Sequence, residues 1–320
     1  MAEAADVTIV IVNWNAGPWL DQALQAVADQ TRRPAAVLVV DNASTDGSAD
    51  GLEARFPGVR LLRAERNLGF AAANNRALAA ADTRWVALLN PDARPRPDWL
   101  ERLLAGAARH PDCRCFASLL LDAADPARLD GAGDAYHVSG LAWRRGHGAP
   151  LAALASGDRE VFAPCAAAAL YEREAVLAAG GFDEGFFCYF EDVDLAFRLR
   201  LAGERCLLIP DARVAHVGSA TTGGQHSEFA LYHGHRNLVW TYVKNMPAAL
   251  LWPTLPAHLL LNLATVLVFA LRGRGRVILR SKRDALRGLP AAWRARRRIQ
   301  ARRRVPARAL WRVMDKGLRP

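Results

Sequence analysis

The sequence predicts an α/β fold in which a mostly parallel central sheet is flanked by helices and followed by a helical C-terminal extension. Three observations carry this prediction. Short, nearly continuous apolar runs alternate with helix-patterned stretches through the first half, the pattern of strands buried on both faces of a parallel sheet. Polar clusters stand directly after three of those runs, where open α/β sheets bind their ligands. Residues 245–271 contain no Asp, Glu, Lys or Arg, and a tail crowded with arginine follows them.

In order, Val7–Val12 reads as a buried strand and Pro18–Ala28 as a helix entered through the turn Asn13–Gly17. Ala36–Val40 is a second strand, Ser48–Phe56 a helix, Val59–Arg63 a short strand and Gly69–Ala80 a helix. Trp85–Leu89 is a strand ending at Asn90-Pro91-Asp92, and Trp99–Ala108 is the next helix. Residues 116–160, with Gly131, Gly133, Gly140, Gly146 and Gly148 among short apolar runs, read as a hairpin-rich insert over one edge of the site. Core-like sequence resumes at Val161–Tyr171, followed by helices at Arg173–Ala179 and Val193–Leu201 and a late strand at Arg205–Ile209. In the tail, Ala291–Val305 is helical in tendency and Pro306 ends it.

A chain of 320 residues that is 52% hydrophobic has ample core, which excludes wholesale disorder. Residues 1–6 are polar or small, so no signal peptide is expected ahead of the first strand. The five cysteines show no zinc-type pattern beyond Cys113-x-Cys115, and their odd number fits reduced thiols in a cytosolic compartment.

The net charge of +10 is unevenly placed: eighteen Lys or Arg and two acids fall in 272–320, giving +16 there and −6 in the remainder. A basic tail suits nucleic acid or anionic lipid equally, and the uncharged stretch 245–271 favours lipid. Pro247, Pro253 and Pro256 interrupt its first half, leaving 15 unbroken residues from Ala257 to Leu271, short of the ~20 needed to cross a bilayer. The expectation is an interfacial or shallowly inserted hairpin, with a buried packing helix or a true span as alternatives. Arg272, Arg274, Arg276, Arg280, Lys282 and Arg283 follow, placed for anionic headgroups. No interleaved aromatic platform or recognition helix accompanies the charge, so no nucleic-acid partner is expected.

There is no G-x-G-x-x-G after the first strand and no G-x-x-x-x-G-K-[ST], which argues against dinucleotide and P-loop chemistry. The chemistry-bearing residues lie at strand ends. Asn13-Trp14-Asn15 follows the first strand, and Asp41 ends the second, where a carboxylate can accept a hydrogen bond from a nucleotide base. Ser44, Thr45 and Asp46 also read as turn residues, and Ser48 as a helix cap. Asp92, two residues beyond a core strand and stiffened by Pro91, is placed to hold an oxygen-seeking divalent ion against a diphosphate, and Asn90 orients that turn or touches the sugar. Glu191, Asp192 and Asp194 cluster at a helix start among aromatic residues. Helix capping explains Asp194, whereas Glu191 and Asp192 suit a base toward a sugar hydroxyl. His216 lies beyond a further strand, and Arg236, in His233-Gly234-His235-Arg236-Asn237, is a candidate for a pyrophosphate contact.

VTIVIVNWN (7–15), VLVVDNASTDGS (37–48), ERNLGFAAANN (65–75), VALLNPDA (86–93), GGFDEGFFCYFEDVDLAFRLRLAG (180–203), HVGSAT (216–221) and HGHRNLVWTYVKNMP (233–247) occur in this order. Over residues 5–247 the chain thereby resembles the family-2 inverting glycosyltransferases of the GT-A fold, within them the bacterial rhamnosyltransferase-like branch. The resemblance implies a nucleotide-diphosphate sugar donor, a Mg²⁺ or Mn²⁺ cofactor and a polyprenyl-diphosphate-linked saccharide acceptor. It makes Asp41 the residue that reads the pyrimidine, Asp92 the last acid of the metal-binding D-x-D element, Asp192 the base and His216 the late metal-binding histidine. Arg66 and Asn67 become donor-side residues, and Asn90 departs from the Asp that many members carry. The branch points to L-rhamnose from a dTDP donor, with galactofuranose, glucose or an N-acetylated sugar as alternatives.

The expected organisation is a catalytic domain over 1–244 and an apolar, basic helical extension over 245–320, peripheral or monotopic at the cytoplasmic face of the inner membrane. Two rivals stand beside this reading. A sugar-1-phosphate nucleotidyltransferase would release pyrophosphate but lacks the Gly-rich basic loop at its start. A non-catalytic membrane-binding module would leave Asp92 and Asp192 without work. Oligomeric state is not encoded legibly.

Overall fold

The computed structural model describes residues 4–218 and 227–317. Its elements run β1 (Ala5–Asn13), α1 (Pro18–Ala28), β2 (Pro34–Asp41), α2 (Leu52–Arg55), β3 (Val59–Arg63), α3 (Gly69–Ala80), β4 (Trp85–Leu89), β5 (Ala93–Pro95) and α4 (Trp99–Arg109). Then come β6 (Cys115–Asp122), β7 (Leu129–Gly131), β8 (Asp134–Tyr136), β9 (Ala142–Arg144), β10 (Arg159–Glu160), β11 (Ala168–Glu172), α5 (Arg173–Ala178), α6 (Glu191–Ala202) and β12 (Cys206–His216). Four helices close the chain: α7 (Glu228–Asn245), α8 (Ala248–Leu271), α9 (Gly275–Ala301) and α10 (Ala307–Val313).

The central sheet has the order β10-β12-β6-β11-β4-β1-β2-β3, with β5 on β12 and β7 on β6. It is mixed rather than mostly parallel. β1, β2, β3 and β4 pair in parallel, as do β6 and β12, but β11 runs antiparallel between β4 and β6. The regular alternation of strand and helix breaks after α4, where the short strands of the insert and the antiparallel β11 enter the sheet. Residues 115–122, expected as the start of the insert, form the central strand β6.

Apolar runs such as Val7, Ile9, Val10 and Ile11 are buried because both sheet faces are covered. Leu20 and Leu24 of α1 and Trp99, Leu100 and Leu103 of α4 pack on one face. Ala71, Ala77 and Leu78 of α3 with Leu195 and Leu199 of α6 pack on the other. A third cluster joins Tyr136, Phe162 and Phe197 to Tyr242, Met246 and Leu251 and to Leu310 and Met314, tying the last helices to the domain.

The expected hairpin within 245–271 is replaced by one continuous helix, α8, with Pro253 and Pro256 inside it. In the same turn, Thr254 Oγ1 donates to Leu250 O and Tyr242 Oη donates to Leu251 O, both at 2.8 Å, which ties the start of the helix to α7. The chain turns instead at Arg272–Arg274, and α9 runs back along the domain. Trp240 Nε1 donates to Ala285 O at 2.9 Å, Arg296 to Val243 O at 2.8 Å, and Ser281 Oγ to Tyr232 O at 2.9 Å. Gly288 meets the Trp240 indole, where a Cβ has no room. The basic tail is thus packed on α7 along much of its length.

Candidate active site at the strand ends

A cavity of about 780 Å³ opens at the carboxyl ends of β1, β2 and β4. Trp14, Asn42 and the turn Asn90–Asp92 line it, each just past its strand, and Asp134, Arg144, Cys165, Asp192 and His216 complete its polar wall. Asp92 and Asp192 therefore share one cavity.

Sheet register brings the metal candidates together. β5 pairs antiparallel with β12 so that His216 stands opposite Ala93, the neighbour of Asp92, and Val217 N–H donates to Asp92 O at 3.1 Å. His216 Nε2 then lies 3.3 Å from Asp92 Oδ1. The opposite ring nitrogen, Nδ1, is bonded to Asp130 Oδ2 at 2.7 Å. With its proton on Nδ1, the imidazole presents the buried Nε2 as a lone-pair donor beside Asp92. This carboxylate–histidine arrangement is the one that orients metal-binding imidazoles. One oxygen and one nitrogen at this spacing suit a single divalent ion about 2.1 Å from each.

Burial works to raise the Asp130 pKa, but the His216 hydrogen bond and the charges of Arg144 and His147 hold it below the usual carboxylate range. Burial likewise works to lower that of His216, and its contacts with Asp130 and Asp92 outweigh this and raise it. A second donor set, Asp134, Cys165 and Asp192, has ligand atoms within 4.8 Å of one another. Its thiol suits softer ions than Mg²⁺ or Mn²⁺, so the Asp92–His216 pair is the better fit to the expected metal.

Asp192 sits in the first turn of α6, its two oxygens accepting from Ala166 N–H at 3.1 Å and Val193 N–H at 2.8 Å. Burial raises its pKa, while those hydrogen bonds and Arg144 oppose the rise. Glu191 is buried beside it with Oε2 unpartnered, and burial followed by the Asp192 charge pushes its pKa well up. Asp194 is a structural anchor, buried and bound to Arg198 Nε at 2.9 Å, Lys244 Nζ at 2.9 Å and Asn245 Nδ2 at 2.7 Å.

The loop leading to these acids is strained, with Phe187, Tyr189 and Phe190 at φ of 65°, 66° and 69°. Fully buried Asn237 of α7 holds it, with Nδ2 placed 3.0, 2.9 and 2.7 Å from the carbonyls of Phe186, Cys188 and Tyr189. Phe187 O in turn accepts from Phe70 N–H at 2.7 Å at the start of α3. Gly69 permits this approach, since a Cβ there would stand 2.6 Å from Phe187.

Of the other sequence-selected residues, Asn67 and Asn90 line the cavity. Asn13 and Asp41 do not: they bond to each other at 3.0 Å, and Asn13 also reaches Ser44 and Ser48, while their chain neighbours Trp14 and Asn42 face the space. Arg66 is exposed and outside the lining. Arg236 also lies outside it; its guanidinium stacks 4.4 Å over Trp240 and donates to Phe186 O at 2.9 Å, bracing the strained loop. Asp46 accepts from Gly17 N–H at 2.7 Å and caps Ser48 N–H at 3.0 Å, as a turn residue does. Ser219–Thr221 of HVGSAT lie outside the described residues. Sequence reasoning missed Asp130, Asp134, Arg144 and the clamp role of Asn237. The signal available for the first three was a group of four charged residues, Arg145 included, within a glycine-dense stretch, LDGAGDAYHVSGLAWRRGHG.

Residues 8–120 match the model of the family described as Glycosyl transferase family 2. The chain is 34% identical over 248 residues to an N-acetylglucosaminyl-diphospho-decaprenol L-rhamnosyltransferase of Mycobacterium tuberculosis, covering 70% of this chain and 80% of that one. Among solved structures it resembles the mannosyltransferase PcManGT from Pyrobaculum calidifontis in complex with GDP-Man and Mn²⁺ (TM-score 0.57, 19% identity, 94% of this chain and 85% of that). It also resembles GalNAc-T7 with UDP, GalNAc and Mn²⁺ (TM-score 0.61, 18% identity, 76% and 48%). These last two likenesses establish the GT-A fold. The chain belongs to glycosyltransferase family 2 and has the GT-A fold.

Proposed function

We propose that the enzyme is an inverting rhamnosyltransferase that moves L-rhamnose from dTDP-L-rhamnose onto a hydroxyl of a polyprenyl-diphosphate-linked saccharide during cell-surface polysaccharide synthesis. The observation that carries the chemistry is the single cavity shared by Asp92, His216 and Asp192. The likeness to the mycobacterial rhamnosyltransferase supports the choice of donor and acceptor.

Asp92 and His216 would hold a divalent ion, with Asp130 fixing the imidazole. When bound, such an ion offsets the negative charge that gathers on a departing diphosphate. Asp192 accepts the proton of the acceptor hydroxyl as that oxygen attacks the anomeric carbon from the face opposite the nucleotide. The bond from that carbon to the diphosphate oxygen breaks in the same step, and the nucleoside diphosphate leaves. A single displacement inverts the anomeric centre.

The lipid-linked acceptor and a site at the cytoplasmic face of the inner membrane are supported by α8. Among the described residues it is the helix long and apolar enough to cross a bilayer, and only 11% of its most apolar window is buried. Trp252, Leu259, Leu260, Leu263, Leu267 and Leu271 form one exposed stripe along it. Both ends are tied to the same domain, through Leu251 and His258 at the start and through Ile278 just after the turn. A helix so tethered lies in the membrane interface, peripheral or monotopic, with the flanking arginines among anionic headgroups.

The test is transfer from dTDP-L-rhamnose to N-acetylglucosaminyl-diphospho-decaprenol with Mn²⁺ or Mg²⁺, with UDP-glucose and UDP-galactofuranose as competing donors. The proposal expects dTDP release and a product of inverted anomeric configuration by NMR. Retention, or turnover with a UDP-sugar alone, contradicts it.

A further inference from the structure

The insert places beside the base a carboxylate that the fold itself does not use. Asp134 opens β8, and its backbone is fixed on both sides: N–H donates to Ala163 O at 2.8 Å, and O accepts from Phe162 N–H at 3.1 Å. Asp134 is 7% exposed, and among the described residues its buried Oδ1 has no hydrogen-bond partner. Arg144, its register partner on β9, is committed to Asp130 Oδ2 at 2.6 Å instead. A buried carboxylate with no partner weakens a fold unless a ligand satisfies it. This one lines the cavity, and its oxygen lies within 4.8 Å of the Asp192 carboxylate.

Burial and the nearby Asp192 charge push the Asp134 pKa well up, so the two carboxyl groups share a proton, and the hydroxyls on adjacent carbons of a sugar ring, each both donor and acceptor, can satisfy such a pair. The ring of Trp143, next to Arg144 on β9, lines the same wall and offers a flat apolar surface to that sugar. We propose that Asp134 is the acceptor-binding carboxylate: it accepts a hydrogen bond from the saccharide hydroxyl neighbouring the one that Asp192 deprotonates. The assignment rests on Asp192 being the base. It makes Asp134 a determinant of acceptor choice, selecting sugars with a free hydroxyl beside the attacking one.

The test compares wild type, Asp134→Ala and Asp134→Asn, using dTDP-L-rhamnose and N-acetylglucosaminyl-diphospho-decaprenol. Loss of a buried hydrogen-bond partner should lower acceptor kcat/KM by about 10- to 100-fold in the Ala variant. Asn, which keeps an accepting oxygen, should recover part of the loss, and the KM for the donor should stay within about twofold of wild type. Neither variant should melt below wild type, because no internal hydrogen bond is removed. Unchanged acceptor kinetics in Asp134→Ala overturn the proposal, as does a lowered Tm or an altered Mn²⁺ requirement in place of an acceptor effect. Asp192→Asn is the separate control. Normal turnover by that variant removes the base assignment, whereas the melting comparison judges Asp134 without using the acceptor at all.

Discussion

Asn237 lies in α7, far in sequence from Asp192, yet its removal should disable the base. Its amide stands within 3.0 Å of the carbonyls of Phe186, Cys188 and Tyr189. Three residues of that loop sit at positive φ; each such L-residue carries about 1–2 kcal/mol of strain, so roughly 3–6 kcal/mol in all. Asn237→Ala removes two N–H donors from buried carbonyls at about 1–3 kcal/mol each, or roughly 2–6 kcal/mol. The clamp and the strain are thus of similar size, and without the clamp the loop relaxes toward negative φ. Glu191 and Asp192 follow the loop directly and shift with it, and a displacement of about 1 Å costs on the order of 100-fold in rate. The assay is kcat for sugar transfer beside donor affinity from a thermal-shift titration. We expect kcat to fall about 100-fold or more and donor affinity to change much less. A folded variant with kcat within about threefold of wild type would refute the reasoning.

Three further outcomes follow from the geometry. Asp130→Asn takes away the carboxylate that fixes His216, so Mn²⁺ affinity measured by calorimetry should fall about 10- to 100-fold; equal affinity would show that Asp130 is only structural. The His216 pKa is raised above the ordinary imidazole value by its contacts with Asp130 and Asp92, so in metal-free protein its stabilising contribution is fully present below that ordinary value and lost as pH rises through the folded value. The Tm gap between wild type and His216→Gln in chelator should therefore narrow with rising pH, and a widening gap would contradict the assignment. Leu263 and Leu267 are 67% and 59% exposed, and replacing both with Gln should leave Tm unchanged while weakening co-sedimentation with anionic vesicles by about 100-fold or more, at about 1.5–3 kcal/mol per buried leucine. Undiminished sedimentation would remove α8 from the membrane contact.

Much of the fold was legible because its signals are local. α1, β3 and β4 begin and end where periodicity, Pro18 and the apolar runs place them. The expected helix Ser48–Phe56 shrank to Leu52–Arg55, since Asp46 and Ser48 are held in a turn by their own hydrogen bonds. The antiparallel insertion of β11 could not be read, because an apolar run carries no mark of strand direction. Pro253 and Pro256 misled as well: a proline can sit inside a helix when the surrounding packing holds it, and that packing is not local in sequence. Within the site, Asp92, Asp192 and His216 stood out because each follows a strand or opens a helix. Asp130 and Asp134 sit in short hairpin strands, and only the pairing of β7 with β6 and the backbone bridge from Asp134 to Ala163 brings them to the cavity.

The measurement closest to the central claim compares Asp192→Asn with wild type for both turnover and binding of dTDP-L-rhamnose in the presence of Mn²⁺. If a carboxylate draws the proton from the acceptor while separate groups retain the donor, kcat falls by about 100- to 10,000-fold and donor affinity stays within about twofold. Normal turnover by that variant would contradict the account.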